Sequence, residues 1–279
     1  MLKWKAMQKT SDATQLAAIC KSMRREVVQM ITEAKSGHPG GSLSAVEIIV
    51  TLYFDVLNHD PARPKWEGRD RFILSKGHAA PILYAVMAEC GYCDKTRLHT
   101  LRKLGSEYQG HPDVRFLPVL EASTGSLGQG ISVALGMGLA AKLDNASWRT
   151  YVVLGDGEIQ EGQIWEAAMF AGYHKVDNIV AIVDHNRIQL DGFVKDIMEI
   201  EPLAEKFRSF GWHAIELDGH SIPALQSAFQ EAESIKGQPT VIVAKTIKGK
   251  GVSFMENNPK FHGTAPTKDE LALALKELA

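Results

Sequence analysis

Four short runs of apolar and β-branched residues recur in the second half of the chain, at 150–154, 179–183, 213–217 and 240–244, and a fifth lies at 71–74. Stretches of helical periodicity separate the last four, at 164–174, 203–210 and 223–234. Strands that are apolar without alternation must be covered on both faces, and helices between such strands supply the cover. The pattern predicts an α/β fold, a doubly wound parallel sheet with helices on both faces. Ahead of it, Leu16, Ile19, Met23, Val27, Met30 and Ile31 fall at helical spacing. They predict a helix over 11–35 with Ser11 or Asp12 as N-cap. The turn Ser36-Gly37-His38-Pro39-Gly40-Gly41 ends that helix, and a second is expected over 44–57. A helical tail is expected over 268–278. No repeat, linker or low-complexity segment interrupts the chain, so residues 1–279 are read as one domain.

Composition excludes several classes. With 31 Lys+Arg against 33 Asp+Glu, the net charge of -2 argues against a nucleic-acid binder. Three cysteines are an odd number and too few for a disulfide framework, which implies a reducing compartment. Cys90-Gly91-Tyr92-Cys93 is a lone C-x-x-C with no second pair to complete a zinc site, and it reads as structural. Residues 1–10 lack the apolar core of a signal peptide. No apolar run reaches the roughly 18 residues of a membrane span, so a cytoplasmic protein without membrane contact is expected.

Open parallel sheets bind ligands at the carboxyl ends of their strands. There the sequence places Ser75-Lys76-Gly77-His78, Gly155-Asp156-Gly157-Glu158, Asp184-His185-Asn186 and the segment 245–251. Glycines permit close backbone approach, and a helix starting after Gly157 would offer free N–H groups to an anion. A carboxylate beside a phosphate cradle needs a cation between the negative groups, and magnesium with oxygen ligands is the usual one. Asp156 would supply the carboxylate and Asn186 a neutral oxygen. Alone, Gly-Asp-Gly also describes a plain turn after a strand. Four histidines, His38, His78, His111 and His262, fall in Gly/Pro-containing loops, which carry functional side chains at the surface. Imidazoles with pKa values near neutrality suit proton transfer to and from hydroxyls. His59, His99, His174, His213 and His220 are read as surface or satisfied core residues.

Gly-Asp-Gly, a helix, an apolar strand and then Asn resembles the thiamine diphosphate fingerprint. With the segments 35–44 and 75–79, Ser123-Thr124-Gly125-Ser126-Leu127-Gly128-Gln129-Gly130 and 155–162, the chain closely resembles the N-terminal half of transketolase, from about residue 11 to 265. The resemblance implies a thiamine diphosphate-binding fold. It implies that Asp156, Asn186 and the backbone carbonyl of Ile188 hold the metal, magnesium with calcium or manganese as substitutes. Gly125, Ser126, Leu127, Gly155 and Gly157 would line the cofactor, with His78 and His262 near the diphosphate and reacting carbon. His38 and His111 would contact the donor sugar, and His38, His111 and His262 would act on substrate oxygens. Glu161 would link two cofactor sites across a subunit interface, its plain alternative being a helix-start glutamate favoured by the dipole. Gly41-Ser42-Leu43 and Ser126 depart from Pro-rich variants common in that family.

The resemblance further implies transfer of a two-carbon ketol unit between sugar phosphates of pentose phosphate metabolism, with the cofactor as electron sink. The sequence ends after the diphosphate-binding part. It is expected to be one subunit of a split transketolase, paired in a heterotetramer with a second subunit carrying the pyrimidine-binding and C-terminal domains. A 2-oxo acid dehydrogenase component, a deoxyxylulose phosphate synthase and a non-catalytic remnant are the alternatives. The His-Pro-Gly and Ser-Lys-Gly-His-Ala segments resemble transketolase more than the first two, and the retained Asp156, Asn186 and histidines argue against the third.

Overall fold

The computed structural model describes residues 9–190 and 192–279, so the reading of residues 1–10 lies almost wholly outside the described residues. Asp12 is the N-cap of α1 (Ala13–Ala34), its carboxylate accepting from the amides of Thr14 and Gln15. The helix stops at Lys35, which turns left-handed. The glycine-rich segment after it is not a surface loop. Pro39 opens a new helix, α2 (Pro39–Ser44), because proline fits a first helical turn without loss of a hydrogen bond. The single helix expected over 44–57 is instead α3 (Val46–Thr51) followed by a π-helical turn at Leu52–Val56. Every residue of α2 and α3 is buried. A methyl group on Gly40 would lie 2.9 Å from the Phe261 carbonyl oxygen, which explains why so small a residue is needed there.

The remaining elements are β1 (Arg71–Leu74), α4 (Ala80–Cys90), α5 (Gln129–Leu143), β2 (Thr150–Gly155), α6 (Gly162–Tyr173) and β3 (Ile179–His185). They continue as α7 (Val194–Ile197), α8 (Leu203–Ser209), β4 (His213–Asp218), α9 (Ile222–Ser234), β5 (Thr240–Lys245) and α10 (Lys268–Glu277). All strand pairs are parallel, in the order β1-β2-β3-β5-β4. The predicted doubly wound α/β sheet is therefore present, and β2 to β5 run one or two residues further than the apolar runs suggest.

Chain direction explains which face each helix covers. Parallel crossovers are right-handed, so steps from β1 to β2, β3 and β4 place α5, α6 and α8 on one face. The step back from β4 to β5 places α9 on the other, where α1, α3 and α4 also pack. Strand side chains divide accordingly. Val152, Leu154, Ala181, Val183, Val241 and Val243 join the first core, while Tyr151, Val153, Val180, Ile182 and Ile242 join the second. The chain leaves β2 and β3 toward the first face but leaves β1 and β5 toward the second. Crevices open at the carboxyl ends where neighbours diverge, and the site lies there.

Candidate active site

Asp156 follows β2 directly and is buried at 2 % exposure. Its Oδ1 accepts from the Gly157 amide at 2.9 Å, and its Oδ2 accepts from the Arg187 amide. Burial, and then the neighbouring Asp184 carboxylate, push the Asp156 carboxyl above the usual range. The helix expected straight after Gly157 does not begin there. A 3-10 turn, Glu158–Gln160, intervenes, and α6 starts at Gly162 with Glu161 as its exposed N-cap. The cause is Glu158, whose carboxylate folds back under the turn. It accepts from the Gly155 amide at 3.0 Å, the Gly128 amide at 2.9 Å and the Ser75 hydroxyl. One buried carboxylate thus ties the ends of β1 and β2 to the start of α5. Gly157 is required by the protein itself, since a methyl group there would lie 2.8 Å from Gln189 Cβ.

Asp184, the penultimate residue of β3, is fully buried. The Lys76 ammonium and the Thr246 hydroxyl reach it directly, and the Ser44 hydroxyl donates to it at 2.6 Å. Burial would raise this carboxyl, but Lys76 together with the Ser44 and Thr246 hydroxyls more than offsets that and holds it low. Asn186 donates its amide to Asp184 Oδ2 at 3.3 Å, so its Oδ1 is directed away, where it accepts from the Ile188 amide at 3.2 Å. The Ile188 carbonyl accepts from Lys248 Nζ at 2.7 Å, and Lys248 also meets His262 Nδ1 at 2.7 Å. Burial, and then the Lys76 charge, lower the Lys248 pKa.

The four histidines singled out in the sequence converge. The His38 ring centroid lies 5.2 Å from that of His78, 5.4 Å from His262 and 6.4 Å from His111, and His78 lies 5.3 Å from His262. Three of the settings differ from the expected surface loops, while His111 stays exposed in a loop. His38 is the N-cap position of α2, and His78 and His262 sit in 3-10 turns, so rigid elements hold them. Their pKa values also differ from expectation. Burial, then Arg102, pushes His38 down to about 4, and burial, then Lys248, pushes His262 down to about 3. Burial, then Lys76, holds His78 well below its usual value, and burial, then Arg102, lowers His111. Near pH 7 these are neutral imidazoles, each offering one donor and one acceptor, rather than groups poised at their titration point.

A cavity of about 300 Å³ joins these parts. Leu127, Gly155, Asp156, Gly157, Glu161, Asn186, Ile188, His78 and His262 all line it, as do Lys76, Glu158 and Lys248. His38 and His111 extend the group through their ring contacts. Gly125 and Ser126 are not among the lining residues; a methyl group on Gly125, at φ +134°, would lie 2.9 Å from the His111 ring. Sequence reasoning gave no role to Lys76, Glu158, Asp184, Thr246 or Lys248. The signal was present, because charged residues bracketed by glycines at strand ends seldom lie buried without a partner. The oxygen set of Asp156, Asn186 and Ile188 fits a hard cation. One of these oxygens, the Ile188 carbonyl, already accepts from Lys248 Nζ at 2.7 Å, so the set attracts a positively polarised group. Among the described residues no group of three His, Cys, Asp or Glu side chains forms a metal site, so any ion here would use that mixed set. Buried His38 Nδ1 and Thr124 Oγ1 have no protein partner, leaving polar capacity for a ligand.

Residues 15–279 match the family described as transketolase, thiamine diphosphate binding domain. The chain belongs to the transketolase family. It is 43 % identical over 256 residues to the 6-deoxy-6-sulfo-D-fructose transketolase subunit of Clostridium sp. (strain MSTE9), covering 92 % of this chain and 93 % of that one. It is 39 % identical over 256 residues to one of the subunits of the apulose-4-phosphate transketolase of Phocaeicola vulgatus, covering 92 % and 91 %. The solved transketolase of Pichia stipitis, in complex with sedoheptulose-7-phosphate, superposes with a TM-score of 0.90 at 32 % identity. That match covers 96 % of this chain but 41 % of the yeast chain. The chain is thus a thiamine diphosphate-binding domain of the transketolase family, and it spans less than half the length of that solved structure.

Among the described residues Cys20, Cys90 and Cys93 are free thiols, and burial raises all three pKa values, which agrees with a structural role for the C-x-x-C. No helix among the described residues is long and apolar enough to cross a membrane.

Proposed function

We propose that this chain is the diphosphate-binding subunit of a two-chain transketolase of the cytoplasm, moving a two-carbon ketol unit between phosphorylated sugars. The observation that carries this reading is the convergence of four neutral imidazoles over a cavity whose floor holds Asp156, Asn186 and the Ile188 carbonyl. The whole of residues 1–279 acts as one diphosphate-binding domain on this reading.

Bound thiamine diphosphate supplies the electron sink that breaks a carbon–carbon bond beside a ketose carbonyl. The chain's residues bind and orient. Asp156, Asn186 and Ile188 hold magnesium, for which calcium or manganese can substitute. Gly125, Ser126, Leu127, Gly155 and Gly157 shape the cofactor side of the cavity, and His78 stands beside the diphosphate. His38, His111 and His262 face the sugar, where neutral imidazoles accept a hydroxyl proton or donate to a carbonyl oxygen. Their depressed pKa values favour early return of the proton, because burial opposes a lasting imidazolium.

The partner is a second subunit with the pyrimidine-binding and C-terminal domains, and two copies of each chain form the particle. Names of relatives that are themselves called subunits support this, as does the exposed Glu161 at the head of α6. Further along that helix Met169, Phe170 and Tyr173 are exposed, an apolar face of the kind that an interface covers.

The test is turnover of the assembled two-chain enzyme on a panel of ketose phosphates, the parent ketoses and 2-oxo acids. Ketol transfer from at least one phosphorylated ketose, dependent on thiamine diphosphate, is the expected result. Turnover confined to 2-oxo acids would replace the reading with a dehydrogenase-type one.

A further inference from the structure

Lys248 reaches the cavity from the loop after β5, and that loop is held from outside the site. His220, set aside in the sequence as an ordinary surface or core residue, stands behind it. Its side chain is 12 % exposed and both ring nitrogens are engaged. The Ile247 amide donates to Nε2 at 2.8 Å, and Nδ1 lies 2.9 Å from Glu47 Oε2. A backbone N–H can only donate, so Nε2 carries no proton and Nδ1–H donates to the carboxylate. Arg24 closes the chain. Its guanidinium meets Glu47 Oε1 at 2.7 Å, and its Nε donates to the Lys250 carbonyl at 2.9 Å. Burial would raise the Glu47 carboxyl, but His220 and Arg24 more than offset it and hold the group low.

The loop is therefore clamped on both sides of Lys248. Ile247, one residue before it, hangs on His220, and Lys250, two residues after it, hangs on Arg24. Glu47 fastens both clamps to α3, and the Gly249 amide adds a 3.0 Å bond to the Gly40 carbonyl of α2. Between the clamps the Lys248 side chain has one course, inward to Ile188 and His262.

We propose that His220 is a positioning residue of this site: by holding the Ile247 amide, it sets where the Lys248 ammonium stands among the Ile188 and His262 acceptors. His220 itself lines a separate cavity of about 320 Å³ with Arg24, Glu47 and Lys250, and it does not line the cofactor cavity. Its effect passes through the loop. The inference rests on the reading of the cavity as the thiamine diphosphate site.

The test uses the full chain assembled with its partner subunit. Calorimetric titration with thiamine diphosphate and magnesium should show affinity falling about tenfold in His220→Ala. His220→Gln, whose side-chain carbonyl can still accept from Ile247, should stay within about threefold. In a Lys248→Met background the same His220→Ala change should matter by less than about twofold, because the two residues act on one path. An equal loss in both backgrounds, or none in either, would overturn the proposal. Amide exchange at Ile247 gives a readout independent of the cofactor. Exchange should quicken in His220→Ala but not in His220→Gln, and unchanged exchange would refute the clamp. His220→Phe, which fills the volume without an acceptor, replaces the Ala variant should that one fail to fold. Failure of the unaltered protein to bind thiamine diphosphate would instead strike the cofactor reading, with the exchange result still deciding the clamp.

Discussion

Asp156→Ala is expected to abolish tight binding of thiamine diphosphate with magnesium, and Asn186→Ala to weaken it less. Asp156 is the only carboxylate in the proposed oxygen set, so its loss leaves a divalent cation with neutral donors alone. Groups that merely orient metal ligands are worth about 10–100-fold in affinity, and a charged ligand should exceed that range. Asn186 contributes a dipole rather than a charge, which places its loss within it. The structure adds a reason to expect a sharp effect. Burial and Asp184 disfavour the Asp156 charge until a cation arrives, so ion and carboxylate stabilise each other. Calorimetric titration of the assembled enzyme, with magnesium held in excess, measures both variants. Affinity in Asp156→Ala equal to that of the unaltered protein would remove Asp156 from the metal site.

Replacing His38, His111 or His262 by Ala should lower turnover by about 10²–10⁴-fold while cofactor affinity changes far less. The loss belongs to the sugar side of the site. His262 should show the largest departure from that separation, because it also shares Lys248 and so borders the floor of the cavity. His99→Ala, at an exposed position, and His213→Ala, at the amino end of β4 and so at the opposite end of the sheet from the cluster, should be near the unaltered enzyme. Steady-state kinetics with a ketose phosphate donor, set beside cofactor titrations of the same variants, separates the two effects. Equal losses in these controls would show that the cluster has no special role.

The sheet was legible because its signal is redundant. Each of β2, β3 and β5 is apolar on both faces, and no other covered arrangement accommodates such runs between helices. The region of α2 and α3 was harder, since Pro39-Gly40-Gly41 carries the marks of a turn. Only the close approach of Phe261 and His78 to those glycines makes a helix there the better packing, and Phe261 comes from the far end of the chain. In the site, strand ends pointed to Asp156 and Asn186 and Gly/Pro loops to His38, His78, His111 and His262, and the fold does bring these together. Glu158, Asp184 and Lys248 were placed at strand ends but given no role, because their roles depend on burial and on partners far along the chain. His220 was set aside for the same reason: His next to a turn looks like a surface residue until Glu47 and Ile247 are placed on either side of it.

The most direct measurement is ketol transfer by this chain alone and after mixing with its partner subunit, each with thiamine diphosphate and magnesium. The resemblance to transketolase implies a carboxylate against the aminopyrimidine of the cofactor, and in the proposed assembly that group belongs to the partner. No transfer above background is expected from the lone chain, and mixing should restore turnover, saturating near equal amounts of the two chains. Full activity from the lone chain would contradict the division of the site between two subunits.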